Sequence, residues 1–331
     1  MVVIRMFSYE GPAGSGGGRP RAAYPGGMDG TEARGTGSEE FVRALGARAV
    51  VLDGGLSNEL EAAGHGLADA LWSARLLRDG PAALTAAHRA YASAGAEVAT
   101  TASYQASFEG FARHRIDAAR TRELLALSVA AARASGSRWV AASVGPYGAM
   151  LADGSEYRGR YGVGRAELER FHGPRVEALL AAGPDVLALE TVPDTEEARA
   201  LLAVVRGCGV PVWLSYSVAD GATRAGQPLD AAFGLAAEAE EIVAVGVNCC
   251  APGEVADAVR RAVAAGGKPG VAYPNSGERW DAHARGWRSD PSFVPGLAAR
   301  WYAAGARLIG GCCRVGPGEI RGVADVLRAG A

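Results

Sequence analysis

Two adjacent cysteines, Cys312 and Cys313, follow a short apolar run and a pair of glycines near the end of the chain. The apolar run predicts a buried strand, and the glycines allow the backbone to turn sharply where that strand ends. A second apolar run ends in another cysteine pair, Cys249-Cys250. Three thiolates supplied by two strand ends suit a zinc ion whose fourth position stays open. The pattern therefore predicts a zinc centre that joins these two parts of the chain.

The composition is that of an ordinary globular protein and argues against several other classes. The chain has 331 residues, of which 49% are apolar and 21% charged, and its net charge is −2. Without a basic face, binding to nucleic acid or to a membrane surface has little support. Five cysteines are too few for a disulfide framework in a chain of this length, and Cys208 is interpreted as a small buried hydrophobe. Thiolate ligation needs reducing conditions, so we expect a cytoplasmic protein.

The first 38 residues differ from the rest of the chain. They are rich in glycine, include the run Gly16-Gly17-Gly18, and cannot bury enough apolar surface to offset the entropy of ordering them. We therefore predict a disordered tail over residues 1–38 and one domain over residues 39–331. Met28 is an alternative start of the chain.

Apolar strand candidates alternate with helical stretches from about residue 41 onward. The strands are predicted near 49–53, 97–101, 139–144, 185–190, 211–216, 243–248, 269–273 and 307–310. The helices between them include 117–135, 166–182, 195–206, 229–239, 253–265, 293–304 and 317–329, and more than one helix is expected between 57 and 95. This number of units over this length predicts an α/β fold, a (β/α)8 TIM barrel. A doubly wound open sheet is the alternative, although the early glycines do not form a phosphate loop.

Polar residues follow most of the predicted strands. Asp53 ends the first strand, Thr101 and Ser103 follow the second, Glu190 ends the fourth, and Asn248 ends the sixth. In barrels of this type the catalytic residues lie at the carboxyl ends of the strands. A single such residue is often a helix cap, but polar endings on so many strands predict an active site there.

The motifs in this order resemble the zinc-dependent homocysteine S-methyltransferases, in particular the bacterial and plant branch that uses S-methylmethionine. The similarity runs from about Val50 to the C-terminus. It is carried by Leu52-Asp53-Gly54-Gly55, Leu71-Trp72-Ser73-Ala74, Thr101-Ala102-Ser103-Tyr104-Gln105-Ala106, Ser143-Val144-Gly145-Pro146-Tyr147-Gly148, Ala152-Asp153-Gly154-Ser155-Glu156-Tyr157-Arg158-Gly159, Gly246-Val247-Asn248-Cys249, Tyr273-Pro274-Asn275-Ser276-Gly277-Glu278 and Gly310-Gly311-Cys312-Cys313-Arg314.

The resemblance implies a homocysteine-binding barrel that holds one Zn²⁺ through Cys249, Cys312 and Cys313, with Cys250 pointing away. It also implies that carboxylates at the positions of Asp53 and Glu190 bind the amine of homocysteine. We expect the turn at Gly54 and Gly55 to receive the substrate carboxylate through its backbone N–H groups. Asn248 is expected to orient the substrate or to support Cys249.

For the methyl donor, the resemblance implies aromatic side chains that face a fixed positive charge. By position these are Trp72 and Tyr104, and Trp280 and Trp287 are further candidates in the loop after the seventh strand. The segment Asp281-Ala282-His283-Ala284-Arg285-Gly286 fits a cobalamin-binding pattern, but no doubly wound domain remains in the chain to carry that cofactor.

The expected activity is methyl transfer from S-methylmethionine to zinc-bound L-homocysteine, giving methionine. A sulfonium has a good neutral leaving group, so the reaction mainly needs a strong nucleophile, and zinc binding deprotonates the acceptor thiol. The same chemistry with S-adenosylmethionine or betaine as donor, or with selenocysteine as acceptor, is the alternative. A zinc or thiol-redox protein that is not an enzyme is the alternative from another class. The sequence leaves the oligomeric state open.

Overall fold

The computed structural model describes residues 30–66, 72–281, 286–288 and 290–330. Parallel strands form the centre of this part of the chain. They are β1 (Val50–Val51), β2 (Val98–Thr100), β3 (Trp139–Val144), β4 (Val186–Val192), β5 (Val212–Tyr216), β6 (Ile242–Asn248), β7 (Gly270–Tyr273) and β8 (Ala306–Ile309).

These strands close into a barrel. Each pairs in parallel with its neighbours in chain order, and β8 pairs with β1 through Val50 with Leu308 and Val51 with Ile309. A parallel bridge between Leu52 and Val98 joins β1 to β2 and completes the circle. The predicted (β/α)8 barrel is thereby confirmed, and the open doubly wound sheet is excluded because such a sheet has two unpaired edges.

Helices surround the barrel and fill most of the connections between strands. They are α1 (Gly30–Ala47), α2 (Leu56–Ala62), α3 (Trp72–Asp79), α4 (Pro81–Ser93), α5 (Phe108–Ala112), α6 (Ala118–Arg133), α7 (Tyr147–Leu151), α8 (Arg165–Ala181), α9 (Thr195–Val205), α10 (Leu229–Gly234), α11 (Pro252–Gly266), α12 (Leu297–Ala303) and α13 (Pro317–Ala329). A 3₁₀ turn spans Ser155–Tyr157, and two short hairpins pair Val218–Ala219 with Ala222–Thr223 and Arg279–Asp281 with Gly286–Arg288. None of the helices in the described ranges combines the length and hydrophobicity needed to cross a bilayer.

Helix α1 closes the amino-terminal end of the barrel. Phe41 is fully buried, and its ring centroid lies 5.5 Å from that of Trp139 and 6.5 Å from that of Trp213, which are near the starts of β3 and β5. The hydroxyl of Ser38 donates to the carbonyl of Asp185 at 2.7 Å. The apolar side of this helix therefore covers the end of the barrel opposite the carboxyl ends of the strands.

The start of α1 changes the predicted domain boundary. Residues 30–38 were expected in the tail, but the helix begins at Gly30, and Ser38 is already buried against the barrel. Its apolar residues Phe41 and Leu45, one turn apart, are both buried and hold the helix in place despite its glycines. Residues 1–29 of the predicted tail lie outside the described residues, and we propose that the tail ends before Gly30.

Replacement of Phe41 by alanine tests this closure. We expect the free energy of unfolding to fall by about 3–5 kcal/mol, because a fully buried aromatic side chain is lost and a cavity remains. Urea denaturation measures the change. Val42→Ala is the matched control on the same helix: Val42 is 42% exposed, so its loss should change stability by at most about 0.5 kcal/mol. Equal stabilities of the two variants would show that α1 does not support the barrel.

Candidate active site

The three predicted ligands meet at the carboxyl end of the barrel. Cys249 follows β6, and Cys312 and Cys313 follow β8. The Sγ of Cys249 lies 2.9 Å from that of Cys312 and 3.8 Å from that of Cys313, and the last two sulfurs are 3.9 Å apart. A tetrahedral zinc with bonds of about 2.3 Å separates its sulfur ligands by about 3.8 Å. Two of the three separations fit this geometry, and rotation of one thiol lengthens the third, so the residues fit a three-cysteine metal centre.

The backbone at Cys249 explains why only one cysteine of its pair faces the cluster. Cys249 adopts a left-handed conformation with a φ of 49°, which ends the strand and turns its side chain toward the other two thiols. Cys250 is buried among the apolar residues outside the barrel, and burial raises the pKa of its thiol to about 12. As expected, Cys250 points away from the cluster.

One loop after β7 connects the two cysteine segments. The backbone N–H of Asn275 donates to the carbonyl of Cys250 at 3.0 Å, and its side-chain oxygen accepts from the N–H of Cys313 at 3.2 Å. The carbonyl of Pro274 accepts from the N–H of Cys312 at 2.6 Å. In the sequence, Asn275 stands out only as part of the motif Tyr273-Pro274-Asn275-Ser276-Gly277-Glu278. In the structure, its hydrogen bonds join the two cysteine segments and so fix the spacing of the thiols.

Glycines allow the turn after β1 to pack against the cysteine segment. A side chain at Gly54 would overlap the carbonyl of Val315, and a Cβ at Gly55 would lie 2.8 Å from the carbonyl of Cys312. Both glycines line the cavity, and their predicted role in binding the substrate carboxylate stays a prediction. However, the N–H of Gly55 donates to the carbonyl of Val315 at 2.9 Å and is therefore already used. Close packing accounts for both glycines.

The three thiols open into a cavity of about 170 Å³ at this end of the barrel. Its charged lining is acidic: Glu61, Glu156 and Glu190 contribute carboxyl groups. Within the described ranges, no lysine, arginine or histidine lines the cavity. The electrostatic potential of these carboxyl groups favours ligands that carry positive charge.

Asp53 lies behind the wall of the cavity and not in it. Its side chain is 1% exposed and accepts hydrogen bonds from the N–H of Thr100 at 2.7 Å, the hydroxyl of Thr100 at 2.9 Å and the hydroxyl of Tyr273 at 2.8 Å. Burial raises its pKa to about 6, and these donors oppose that rise. Asp53 lies one layer below the cavity wall, where its carboxyl accepts from Tyr273, and its predicted contact with the substrate amine stays a prediction. Tyr273 lines the cavity and was not singled out from the sequence.

Glu190 does line the cavity, as predicted. It is 6% exposed at the end of β4, and the hydroxyl of Ser143 donates to one of its oxygens. Burial raises the pKa of Glu190 to about 7, and the nearby negative charges of Asp53 and Cys313 add to this rise. Burial makes ionisation of this carboxyl unfavourable, and a cation that binds beside it makes ionisation favourable again.

Asn248 also lies deeper than predicted. It is fully buried, its side-chain oxygen accepts from the N–H of Thr191 at 2.6 Å and the hydroxyl of Ser215 at 2.8 Å, and its amide donates to the hydroxyl of Thr191 at 2.7 Å. Its hydrogen bonds thus support Thr191, which lines the cavity, instead of reaching a substrate. These hydrogen bonds reach neither the cavity nor the Cys249 thiol, so both predicted roles of Asn248 stay predictions.

The structure places one of the two predicted donor-binding aromatics at the cavity. Tyr104 lines it, and a side chain at Gly145 would overlap the Tyr104 ring. Trp72 begins helix α3, but its side chain lies outside the described residues, as do the side chains of Trp280 and Trp287. Tyr157 was not predicted. It lines the cavity, and its hydroxyl lies 3.7 Å from the Sγ of Cys249.

Comparisons with known proteins agree with this geometry. A family model described as homocysteine S-methyltransferase matches residues 50–327. The chain is 41% identical to the homocysteine S-methyltransferase YbgG of Bacillus subtilis over 298 residues, which cover 85% of this chain and 95% of that protein. It is 42% identical to a homocysteine S-methyltransferase of Escherichia coli, with 82% and 93% covered. The metallated crystal form of the homocysteine methyltransferase MmuM from Escherichia coli superposes with a TM-score of 0.75 at 41% identity, covering 84% of this chain and 96% of that one.

Proposed function

Because this chain belongs to the homocysteine S-methyltransferase family, we propose that it transfers a methyl group from S-methylmethionine to L-homocysteine and forms methionine. One observation carries the proposal: three free thiols meet at the wall of a cavity whose charged lining, in the described part of the chain, is acidic. Such a cavity suits a thiol acceptor bound at a metal and a donor with a positive charge.

Zinc is the proposed metal, held by Cys249, Cys312 and Cys313. When bound, it lowers the pKa of the acceptor thiol so that the sulfur is present as a thiolate. The three cysteines contribute three negative charges, which keep the metal centre electron-rich. The Asn275 loop maintains their spacing, and Cys250 contributes nothing to the centre because it lies in the apolar layer outside the barrel.

Glu190 is the proposed partner of the acceptor's ammonium group. Its carboxyl lies in the cavity with one hydrogen-bond donor, Ser143, which leaves acceptor positions for a substrate N–H. Asp53, one layer deeper, adds a second negative charge and orients Tyr273. Together they hold homocysteine by its amino group while its sulfur reaches the cysteine cluster.

The donor is proposed to be a sulfonium because the cavity repels anions and offers an aromatic face. An anionic methyl donor would enter against the charges of Glu156, Glu190 and the thiolates. The ring of Tyr104 supplies negative potential without a competing nucleophile, and a desolvated contact of this kind is worth roughly 2 kcal/mol. Trp72 remains the second proposed aromatic.

The alternatives share the metal centre and differ in what occupies the cavity. S-adenosylmethionine or betaine as donor, and selenocysteine as acceptor, require the same thiolate chemistry. A zinc or thiol-redox protein without enzymatic activity is favoured less, since a closed structural zinc site has four protein ligands and the described residues supply three. The need for reduced thiols leads us to propose the cytoplasm as its location.

Initial rates of methionine formation with the purified protein test the proposal. The acceptors are homocysteine and selenocysteine, the donors are S-methylmethionine, S-adenosylmethionine and betaine, and metal content is measured on the same samples. We expect about one zinc per chain and a kcat/KM for S-methylmethionine at least about tenfold above that of the other donors. One bound zinc without methyl transfer from any donor would instead support the non-enzymatic alternative.

A further inference from the structure

The carboxyl group of Glu156 also lines the cavity, and the proposed reaction assigns it no specific partner beyond its contribution to the negative potential. Its side chain is 8% exposed, it lines the same cavity as the cysteines, and its Oε2 has no hydrogen-bond partner. Burial raises its pKa to about 7. Buried polar atoms in native proteins nearly always have partners, so an unpartnered carboxyl oxygen on a residue that lines a cavity indicates a ligand that supplies the donor.

The position of Glu156 is built into the connection between β3 and α8. A side chain at Gly148 would overlap the backbone of Glu156, so the 3₁₀ turn packs directly onto helix α7. Asp153, which is exposed, accepts from the N–H of Ser155 at 2.9 Å and fixes the start of the turn. The next residue, Tyr157, has its hydroxyl 3.7 Å from the Sγ of Cys249. Packing therefore holds the backbone of Glu156 in place at the wall of the cavity that also contains the cysteines.

Glu156 and Glu190 reach the cavity from different elements. Glu190 belongs to β4 and lies near Asp53 and Ser143, whereas Glu156 belongs to the loop after β3 and its charge acts on Tyr104. The side-chain oxygen of Gln105, next to Tyr104 in the chain, is also buried and without a partner. On the side of the proposed donor aromatic, two acceptors of cavity-lining residues, Glu156 Oε2 and Gln105 Oε1, thus lack a donor, and the Tyr104 hydroxyl also has no partner.

Unpaired hydrogen-bond acceptors in the cavity favour a cation that has N–H groups over a cation that has none. A primary ammonium group offers three N–H donors, whereas a sulfonium or a quaternary ammonium offers none. The aromatic ring of Tyr104 suits the sulfonium, and the carboxyl of Glu156 suits an ammonium group on the same molecule. A donor that uses both the ring and the carboxyl must therefore carry a sulfonium and an ammonium group, as an amino-acid sulfonium does.

We propose that Glu156 binds the α-ammonium group of an amino-acid sulfonium donor and thereby sets donor specificity. The inference rests on the proposed function. The cavity then holds two amino acids, the acceptor with its ammonium at Glu190 and the donor with its ammonium at Glu156, and their sulfur atoms meet near the cysteines. Betaine, which has no N–H, gains nothing from Glu156.

The experiment compares S-methylmethionine with its deaminated analogue 4-(dimethylsulfonio)butanoate, which keeps the sulfonium and the carboxylate. Initial rates are measured for the zinc-loaded parent protein, for Glu156→Gln and for Glu167→Gln, an exposed glutamate of helix α8 that does not line the cavity. Where the analogue is not turned over, its inhibition constant replaces kcat/KM. Metal content and melting temperature are recorded for each protein.

We expect Glu156→Gln to lower kcat/KM for S-methylmethionine at least about twentyfold and to change the value for the analogue, and the KM for homocysteine, less than about threefold. Glu167→Gln should match the parent. Equal losses for both donors, or a rise in the KM for homocysteine alone, would overturn the assignment. So would a parent protein that uses or binds both donors equally well, a result that does not depend on the variant folding. A parent that forms no methionine from homocysteine refutes the proposed function itself.

Discussion

Replacement of Cys312 by alanine is expected to remove the metal and to lower the rate of methyl transfer at least about a thousandfold. Two thiolates and a water molecule bind zinc much more weakly than three thiolates do. Without the metal the acceptor thiol, whose ordinary pKa is about 8.5, is mostly protonated at neutral pH. The same result is expected for Cys249→Ala and Cys313→Ala, because the three sulfurs lie within 4.8 Å of one another and form one centre.

Two cysteine variants serve as matched controls. Cys250 is buried outside the barrel, and Cys208 is half-buried with its thiol 3.3 Å from the carbonyl of Val210, so neither faces the centre. Cys250→Ala and Cys208→Ala should keep about one zinc per chain, measured by atomic emission on dialysed protein. Full activity of Cys312→Ala would refute the proposed centre, and loss of zinc from Cys250→Ala would reassign the ligand within its pair.

The second large effect is expected at Glu190. Glu190→Gln should raise the KM for homocysteine at least about thirtyfold, because loss of one partner from a buried charge pair costs roughly 2 kcal/mol or more. The donor's KM should change little. Saturation curves in both substrates measure the two constants separately, and an unchanged KM for homocysteine would remove Glu190 from the acceptor site.

Ser143→Ala is expected to weaken homocysteine binding less than Glu190→Gln does, and by an amount that depends on pH. The Ser143 hydroxyl donates to Glu190 and favours its charged form, so its removal raises the pKa of Glu190 further above the usual carboxyl range. At pH 7 a smaller fraction of Glu190 is then ionised, and homocysteine binds less well. As the pH rises above that pKa, the charge returns and the defect should shrink. The Glu190→Gln defect should persist at every pH, because glutamine does not ionise.

Much of the barrel and part of the site follow from patterns in the sequence. The apolar runs that end in Asp53, Glu190 and Cys249 are strands, and the parallel arrangement brings their carboxyl ends to one face. Such patterns do not predict how far below the wall of the cavity each side chain lies. Asp53 follows β1 and Asn248 ends β6, yet both lie one layer below the cavity, because depth depends on how the strands are staggered around the barrel.

The positions of Glu156 and Tyr157 could not be predicted from the sequence for a different reason. They belong to the long connection between Val144 and Arg165, which has no periodic pattern to indicate a face. Its return to the cavity depends on contacts such as the close approach to Gly148, which only the folded structure brings together. Helix α1 was not predicted because it begins within a glycine-rich stretch of the sequence. Phe41 and Leu45 nevertheless have helical spacing.

The left-handed backbone of Cys249 has a consequence for protein engineering. A side chain in this conformation costs roughly 1–2 kcal/mol relative to glycine, and the barrel carries that cost at a proposed metal ligand. Selection for thermal stability alone would therefore favour glycine or asparagine at position 249, and would raise the melting temperature of the metal-free chain as it destroyed the centre. Libraries screened for heat resistance should hold this position fixed, because here stability and catalysis favour different residues.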